Sequence, residues 1–222
     1  MSDTNIGISA YMRRIHKVIT RALEVIVAQG QVFAQEGYPD QAVQAGFASY
    51  VLSFESILHA HHLTEEELAF PYFREKIPEE PFDLLLVQHS EIAMLVYEIR
   101  DLLGSHENPH LDIGSLKELV QVVIKIDQIW HPHIRIEENI FSPEKISRLA
   151  NAEEQTLLSR QFAEHSQKHS SPDYLVTPFI LYNLSPADRL VISQLMPPIV
   201  TQQLVPIVWK EKWRPMQPFL LE

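Results

Sequence analysis

The chain has no cysteine. Disulfides, thiolate metal sites and cysteine nucleophiles are therefore excluded, and any metal must be held by nitrogen and oxygen. Glycine is scarce, six among 222 residues. Long stretches lack any helix breaker, which favours helix over sheet. Positive charge is in deficit: the formal net charge of −11 argues against a general binder of nucleic acid or of anionic membranes. No apolar run approaches the ~20 residues that span a bilayer. The N-terminal MSDTNIGISAY carries no secretory pattern, so the expected compartment is the cytoplasm. What remains is a chain that is 45% hydrophobic, ordinary for a globular fold.

Four long apolar patterns of helical period come first. One covers about Asp3 to Gln35 through Met12, Ile15, Ile19, Leu23 and Ile26, and ends at the turn signal Gly37-Tyr-Pro-Asp40. The second covers about Ala42 to Arg74, until the prolines of Ile77-Pro-Glu-Glu-Pro81 bar continuation. The third spans about Phe82 to Leu103, and the fourth about Ser115 to Ile140, with a polar loop from Gly104 to Gly114 between them. Long amphipathic helices joined by short connections predict an all-α, up-down-up-down four-helix bundle over residues 1–145. After Pro143 the character changes, and eight of the fifteen prolines fall between Pro172 and Pro218. Glu153 to His169 can be helical. Ser185-Pro186 resembles an N-cap with a first-turn proline opening a helix to about Met196, and a further helix is expected over Pro198 to Trp213. The final WKEKWRPMQPFLLE is too rich in large apolar groups for a disordered tail. Residues 146–222 thus read as a helical, Pro/Trp-rich C-terminal extension packed on the bundle or on a second subunit.

One motif occurs twice. HAHHLTEEELAFP starts at His59 and HPHIRIEENIFSP at His131, an offset of 72 residues. His59 and His131, His61 and His133, Glu65-Glu66 and Glu137-Glu138, and Pro71 and Pro143 coincide, whereas His62 meets Ile134. Stepping back by helical intervals from His61 gives Leu58, Ile57, Phe54 and Tyr50, and from His133 gives Trp130, Ile129, Ile126 and Val122. Both histidines therefore lie on the core stripe, and residues four apart share a helix face. His61/Glu65 and His133/Glu137 should each project an imidazole and a carboxylate inward. The first and third helices add one in-phase histidine each, His16 and His89. His62 and Glu66 lie about 100° round the helix and His59 and His131 about 200°. His59 and His131 are expected to face outward or pack between helices; for His62 and Glu66 an exposed salt-bridge face is expected, with support of the ligands by hydrogen bonds as the alternative. His165 and His169 have no carboxylate in phase and are expected on a solvated face. Pro132, which takes a hydrogen bond from the Gln128 carbonyl, is expected to bend the fourth helix. Tyr11, Tyr50 and Tyr97 are near enough in phase to reach the cavity, although boundary tyrosines with a wet hydroxyl are commoner.

A single His-x-x-x-Glu most often makes only a helical salt bridge. Two at a fixed offset, with a histidine on each intervening helix, call for another explanation. Buried imidazoles and carboxylates are expensive unless paired or metal-bound, and this donor set suits Fe, Mn or Zn. If two carboxylates bridge two octahedral metals, roughly eight of about twelve positions are filled by protein, leaving room for a solvent bridge and small exchangeable ligands.

The pattern resembles the hemerythrin-like HHE cation-binding domains over about residues 8–145. HHLTEEELAFP and HIRIEENIFSP are similar to that family's two H-x-x-x-E-E signatures, and His16 and His89 match its single histidines. LSPADR, LVPIVWKEKW and PMQPFLL resemble the C-terminal extensions of some bacterial members. The resemblance implies a bundle with a di-iron centre, oxo- or hydroxo-bridged, with Zn or Mn as substitutes. It implies His16, His61, Glu65, His89, His133 and Glu137 as ligands and O2, NO or iron as partner. One departure stands out: oxygen carriers of the family have a further histidine one turn along the third helix, where this chain has Ala93. Simple O2 carriage is thereby disfavoured against sensing, iron handling or redox chemistry. A di-iron oxidase, a peroxidase-like enzyme or an iron oxidase is the alternative. The Glu-x-x-His spacing of ferritin-like proteins occurs only at Glu107 to His110, in a proline-containing loop.

Overall fold

The computed structural model describes residues 6–105 and 109–221, and among these the regular structure is helical throughout. Asp3 and Glu107 lie outside the described residues. Helix α1 spans Ile8–Glu36 and stops at Gly37, whose φ of +82° suits a residue without Cβ. Helix α2, Gln41–Thr64, starts where the Asp40 carboxylate accepts the Val43 amide hydrogen at 2.8 Å. A π-helical turn, Glu65–Ala69, continues it into α3, Phe70–Arg74, so the second predicted helix runs almost unbroken to Arg74. Helix α4, Phe82–Leu103, begins after Pro81. Helix α5, Ile113–Ile140, is capped by Asp112 and remains helical through Pro132.

Helix α1 packs most extensively on α5, and α4 packs on both α5 and α2. The core they enclose includes Ile15, Ile19, Leu23, Phe54, Ile57, Leu85, Ile92, Val123, Ile126 and Trp130.

The extension is helical and lies against the bundle. It comprises α6 (Pro143–Leu149), α7 (Ala152–His169), α8 (Asp173–Tyr182) and α9 (Pro186–Ser193), then a π-helical segment (Val200–Val208), α10 (Lys210–Trp213) and a 3₁₀ turn (Arg214–Phe219). Helix α7 opens with a reciprocal Asn151/Glu154 capping box. Helix α9 is capped by Ser185 with Pro186 in its first turn, but ends three residues short of the expected Met196. The single helix expected over Pro198 to Trp213 is instead divided at Trp209, where the chain leaves its π-helical course past Pro206, a residue with no amide hydrogen to give. Helix α8 carries Pro178 in its interior, and the apolar pattern did not announce it.

The extension covers the flank of α2 that points away from the bundle core. Phe219 meets Phe47 at 5.3 Å between ring centroids, and Phe179 meets Tyr50 at 4.9 Å. The approach is closest at Gly46, where a Cβ would stand 2.0 Å from the Pro215 carbonyl oxygen. No described helix is long and apolar enough to cross a membrane.

Candidate metal centre

The six sequence-predicted donors come together in one layer of the bundle. His16 descends from α1, His61 from the last turn of α2, Glu65 from the first residue of the π turn, His89 from α4, and His133 and Glu137 from α5. None is more than 3% exposed. His16 Nε2 lies 3.3 Å from Glu137 Oε2, His61 Nε2 3.6 Å from Glu65 Oε2, and His89 Nε2 3.4 Å from the same oxygen. His133 Nε2 is 3.0 Å from Glu137 Oε1 and 3.2 Å from His89 Nε2. Trp130 closes one side, its ring edge-on to His16 at 5.6 Å and its indole N–H held by Thr20.

Together with His62, these donors divide into two groups. One holds His16, His61, Glu65 and Glu137; the other holds His62, Glu65, His89 and His133. Within each group the ligand atoms lie within 4.8 Å of one another. That is close to the ~4.2 Å between opposite ligands of a cation with bonds near 2.1 Å. The fit to a metal can be tested on the hydrogen bonds. His16 Nε2, His61 Nε2, His62 Nε2 and all four oxygens of Glu65 and Glu137 are buried without a hydrogen-bond partner. A core normally satisfies such groups. Their contacts instead converge on common points without hydrogen-bond geometry, as cation ligands do. The residues fit a metal centre.

The outward ring nitrogens are anchored. His89 Nδ1–H donates to Glu66 Oε1 at 2.9 Å, and His16 Nδ1–H to Glu138 Oε1 at 3.2 Å. A carboxylate only accepts, so each bond fixes the proton on Nδ1 and leaves the Nε2 lone pair facing the cluster. His133 Nδ1 is held in the same way by the Gln88 side-chain oxygen at 3.0 Å. The anchoring crosses between the repeated halves: Glu66 of the first hairpin holds His89 of the second, and Glu138 of the second holds His16 of the first.

Protons and charges show how heavily the cluster is loaded. Burial alone would lower the His16 pKa, yet Glu137 and Glu138 push it up to about 9. His89, against the same burial, is raised to about 11 by Glu137, Glu65 and Glu66. Burial and the neighbouring Glu137 charge raise Glu65, whereas His133, His16 and His89 overcome burial to hold Glu137 low. Burial, reinforced by neighbouring imidazoles, holds His61 and His62 well below the ordinary range.

Several expectations are corrected. His62 is not on a wet face: it is 6% exposed and its ring stacks on His89 at 4.0 Å between centroids. Its ring is enclosed by the bundle itself, with His89 on one face and Trp130 and His133 close by. Glu66 is half-exposed, but its carboxylate serves His89. That is the alternative its phase allowed, and Glu138 occupies the same place in the second copy of the repeat. Gln88 left no signal beyond adjacency to His89. His165 does find a carboxylate, from another element: Glu67 Oε2 lies 2.9 Å from its Nε2, and Thr64 Oγ1 lies 3.0 Å from its Nδ1. Tyr97 is exposed, and the Tyr50 hydroxyl donates to Asn183 in the extension. Tyr11 is buried beside the cluster. Burial first, and then the Glu65 charge, push its phenol above the usual range despite Ser166. His131 pairs with Asp127 at the surface, as its phase suggested.

A cavity of about 370 Å³ lies between α1 and the extension, with Tyr11, Ile15, Val176, Ile180, Met196 and Val200 on its walls.

Residues 7–144 match the family model of the hemerythrin HHE cation-binding domain. No curated protein and no solved structure gives a significant match to the chain.

Proposed function

The chain belongs to the hemerythrin HHE cation-binding family, and from that membership we propose that it holds a di-iron centre that binds or senses O2 or NO, or responds to iron or redox state. The observation that carries this reading is the set of buried, unpartnered nitrogens and oxygens in two donor groups joined at Glu65. His16 and His61 would hold one iron and His89 and His133 the other, with Glu65 and Glu137 shared. Bound iron supplies Lewis-acid and one-electron chemistry to a small ligand. The chain's own part is to present lone pairs and exclude water. Glu66, Glu138 and Gln88 keep three imidazoles turned inward, and the apolar layer of Trp130 and Phe70 shields the cluster. The test is iron per chain and the visible spectrum, aerobic against anaerobic, for the wild type and for Glu65→Ala and Glu137→Ala. Two irons per wild-type chain, an oxygen-dependent charge-transfer band and loss of most iron in either variant are expected. A wild-type chain without stoichiometric iron defeats the reading.

A second reading, turnover of O2 or peroxide, is favoured by the cavity lined by Tyr11 and Ile15 of α1, the helix that carries His16, which offers room for a co-substrate. It predicts catalysed consumption of O2 or peroxide. Stoichiometric binding without consumption counts against it.

A further inference from the structure

We propose that His62 is itself a metal ligand, completing the position formed by Glu65, His89 and His133. The inference rests on the proposed metal centre and adds to it a donor that the repeat does not contain.

Three observations converge. His62 Nε2 is buried and has no hydrogen-bond partner, an expensive state for a ring nitrogen unless something else takes its lone pair. That donor stands with those of Glu65, His89 and His133 inside one group whose ligand atoms are within 4.8 Å of one another. Finally, the neighbouring helix leaves a gap at this place. Ala93, one turn beyond His89 on α4, offers a methyl group. A void of about 90 Å³ remains there, bordered by His62, Glu66, His89 and Ala93. His62 reaches the centre from α2, on the side of His89 that α4 does not fill.

The chemical consequence is inequality. With His62 bound, one position has three imidazoles, while the other has His16 and His61 alone. Counting shared carboxylates and one solvent bridge, the His62 position is filled and the His16–His61 position retains an exchangeable place. Tyr11 and Ile15, which line the larger cavity, come from the same helix as His16. Small ligands would thus enter on the His16 side and leave the His62 side undisturbed.

The experiment uses the full chain loaded with Co(II), and separately with Fe(II) under anaerobic conditions. It reads metal per chain, affinity by chelator competition, and the Co(II) visible spectrum. The wild type should hold two ions. His62→Ala should weaken one of them by about 100-fold or more, beyond the 10–100-fold typical of losing an outer hydrogen-bond partner, and should alter the Co(II) bands. The double variant His62→Ala/Ala93→His, which offers an imidazole from across the void, should regain the second ion. Circular dichroism of each variant establishes that it is folded. Retention of both ions at unchanged affinity and spectrum in His62→Ala overturns the proposal. So does loss of metal that the double variant fails to restore, because that pattern assigns His62 to packing. A wild-type chain that takes up no stoichiometric metal overturns the metal-centre reading as well, and is distinguishable on that ground.

Discussion

Helices α2 and α5 carry the two copies of one motif in different surroundings. From Tyr50 to Leu58 every residue of α2 is buried, whereas α5 keeps a wet face with residues such as Gln121, Lys125 and Gln128. The bundle accounts for one flank of α2 and the extension for the other. Beside the same His-x-x-x-Glu spacing, α2 buries a second histidine, His62, against His89 of α4, where α5 has the partly buried Ile134. Burial on all sides also obliges α2 to satisfy polar groups that α5 would give to water. The Glu55 carboxylate is paired with Arg100, and the Ser56 hydroxyl accepts the Ser171 amide hydrogen at 2.9 Å. A motif determines what a helix turn can offer; the helices packed around it determine how much is used.

The contrast can be broken most forcefully at the cover. Phe219 packs against Phe47, Tyr50 and Phe33. Phe219→Ala should destabilise the chain by about 3–5 kcal/mol, the range for a buried aromatic. Lys125→Ala on the wet face of α5 should stay within about 0.5 kcal/mol. Urea unfolding of both variants checks this, and a small effect at Phe219 would mean that the extension is not an integral part of the α2 environment.

A smaller effect probes where the copies agree. Glu66→Gln and Glu138→Gln each weaken the anchor of a lone histidine across the hairpin boundary. Each should lower metal affinity about 10–100-fold, which chelator competition measures. A loss confined to one of them would mean that the crossed anchoring is unequal.

The smallest effect is in pH. Without metal, His16 binds its proton more tightly in the fold, at about 9, than at its ordinary 6.5. Its stabilising contribution is complete below pH 6.5 and is lost as the pH rises through 9. His89 moves in the same direction, toward about 11. A bound metal takes the place of these protons, so the loaded chain is spared the loss. The Tm gap between loaded and metal-free protein should therefore widen by a few degrees between about pH 6.5 and 9. Differential scanning calorimetry across that range would reveal a flat gap if the histidines were not carrying those protons.

The bundle was legible because its ends are written in local chemistry. Gly37, Asp40, Pro81, Gly104 and Asp112 punctuate the chain where the helices begin and end. The convergence of His16, His61, Glu65, His89, His133 and Glu137 in one layer was legible because period and repeat agree. His62 was not, because its mate in the repeat is Ile134 and its ring is placed by packing on His89 of α4, a contact between helices that no helical wheel of α2 contains. A hint was present in α2 itself: a run such as Tyr50-Val-Leu-Ser-Phe has no wet face to spare. Helix α8 was hidden by Pro178. Gly46 looked like an ordinary weak point in a helix until Pro215 arrived against it.

The crossed anchoring has a consequence for ancestry. An exchange in which the first half holds the second and the second holds the first is what a two-fold axis produces between identical partners. A single hairpin bearing one histidine and one His-x-x-x-Glu-Glu would build the same cluster by pairing with its own duplicate. Joining the duplicates in one chain frees each to drift from the other. Within such a fused chain His62 can stand in one half while the matching place in the other is Ile134.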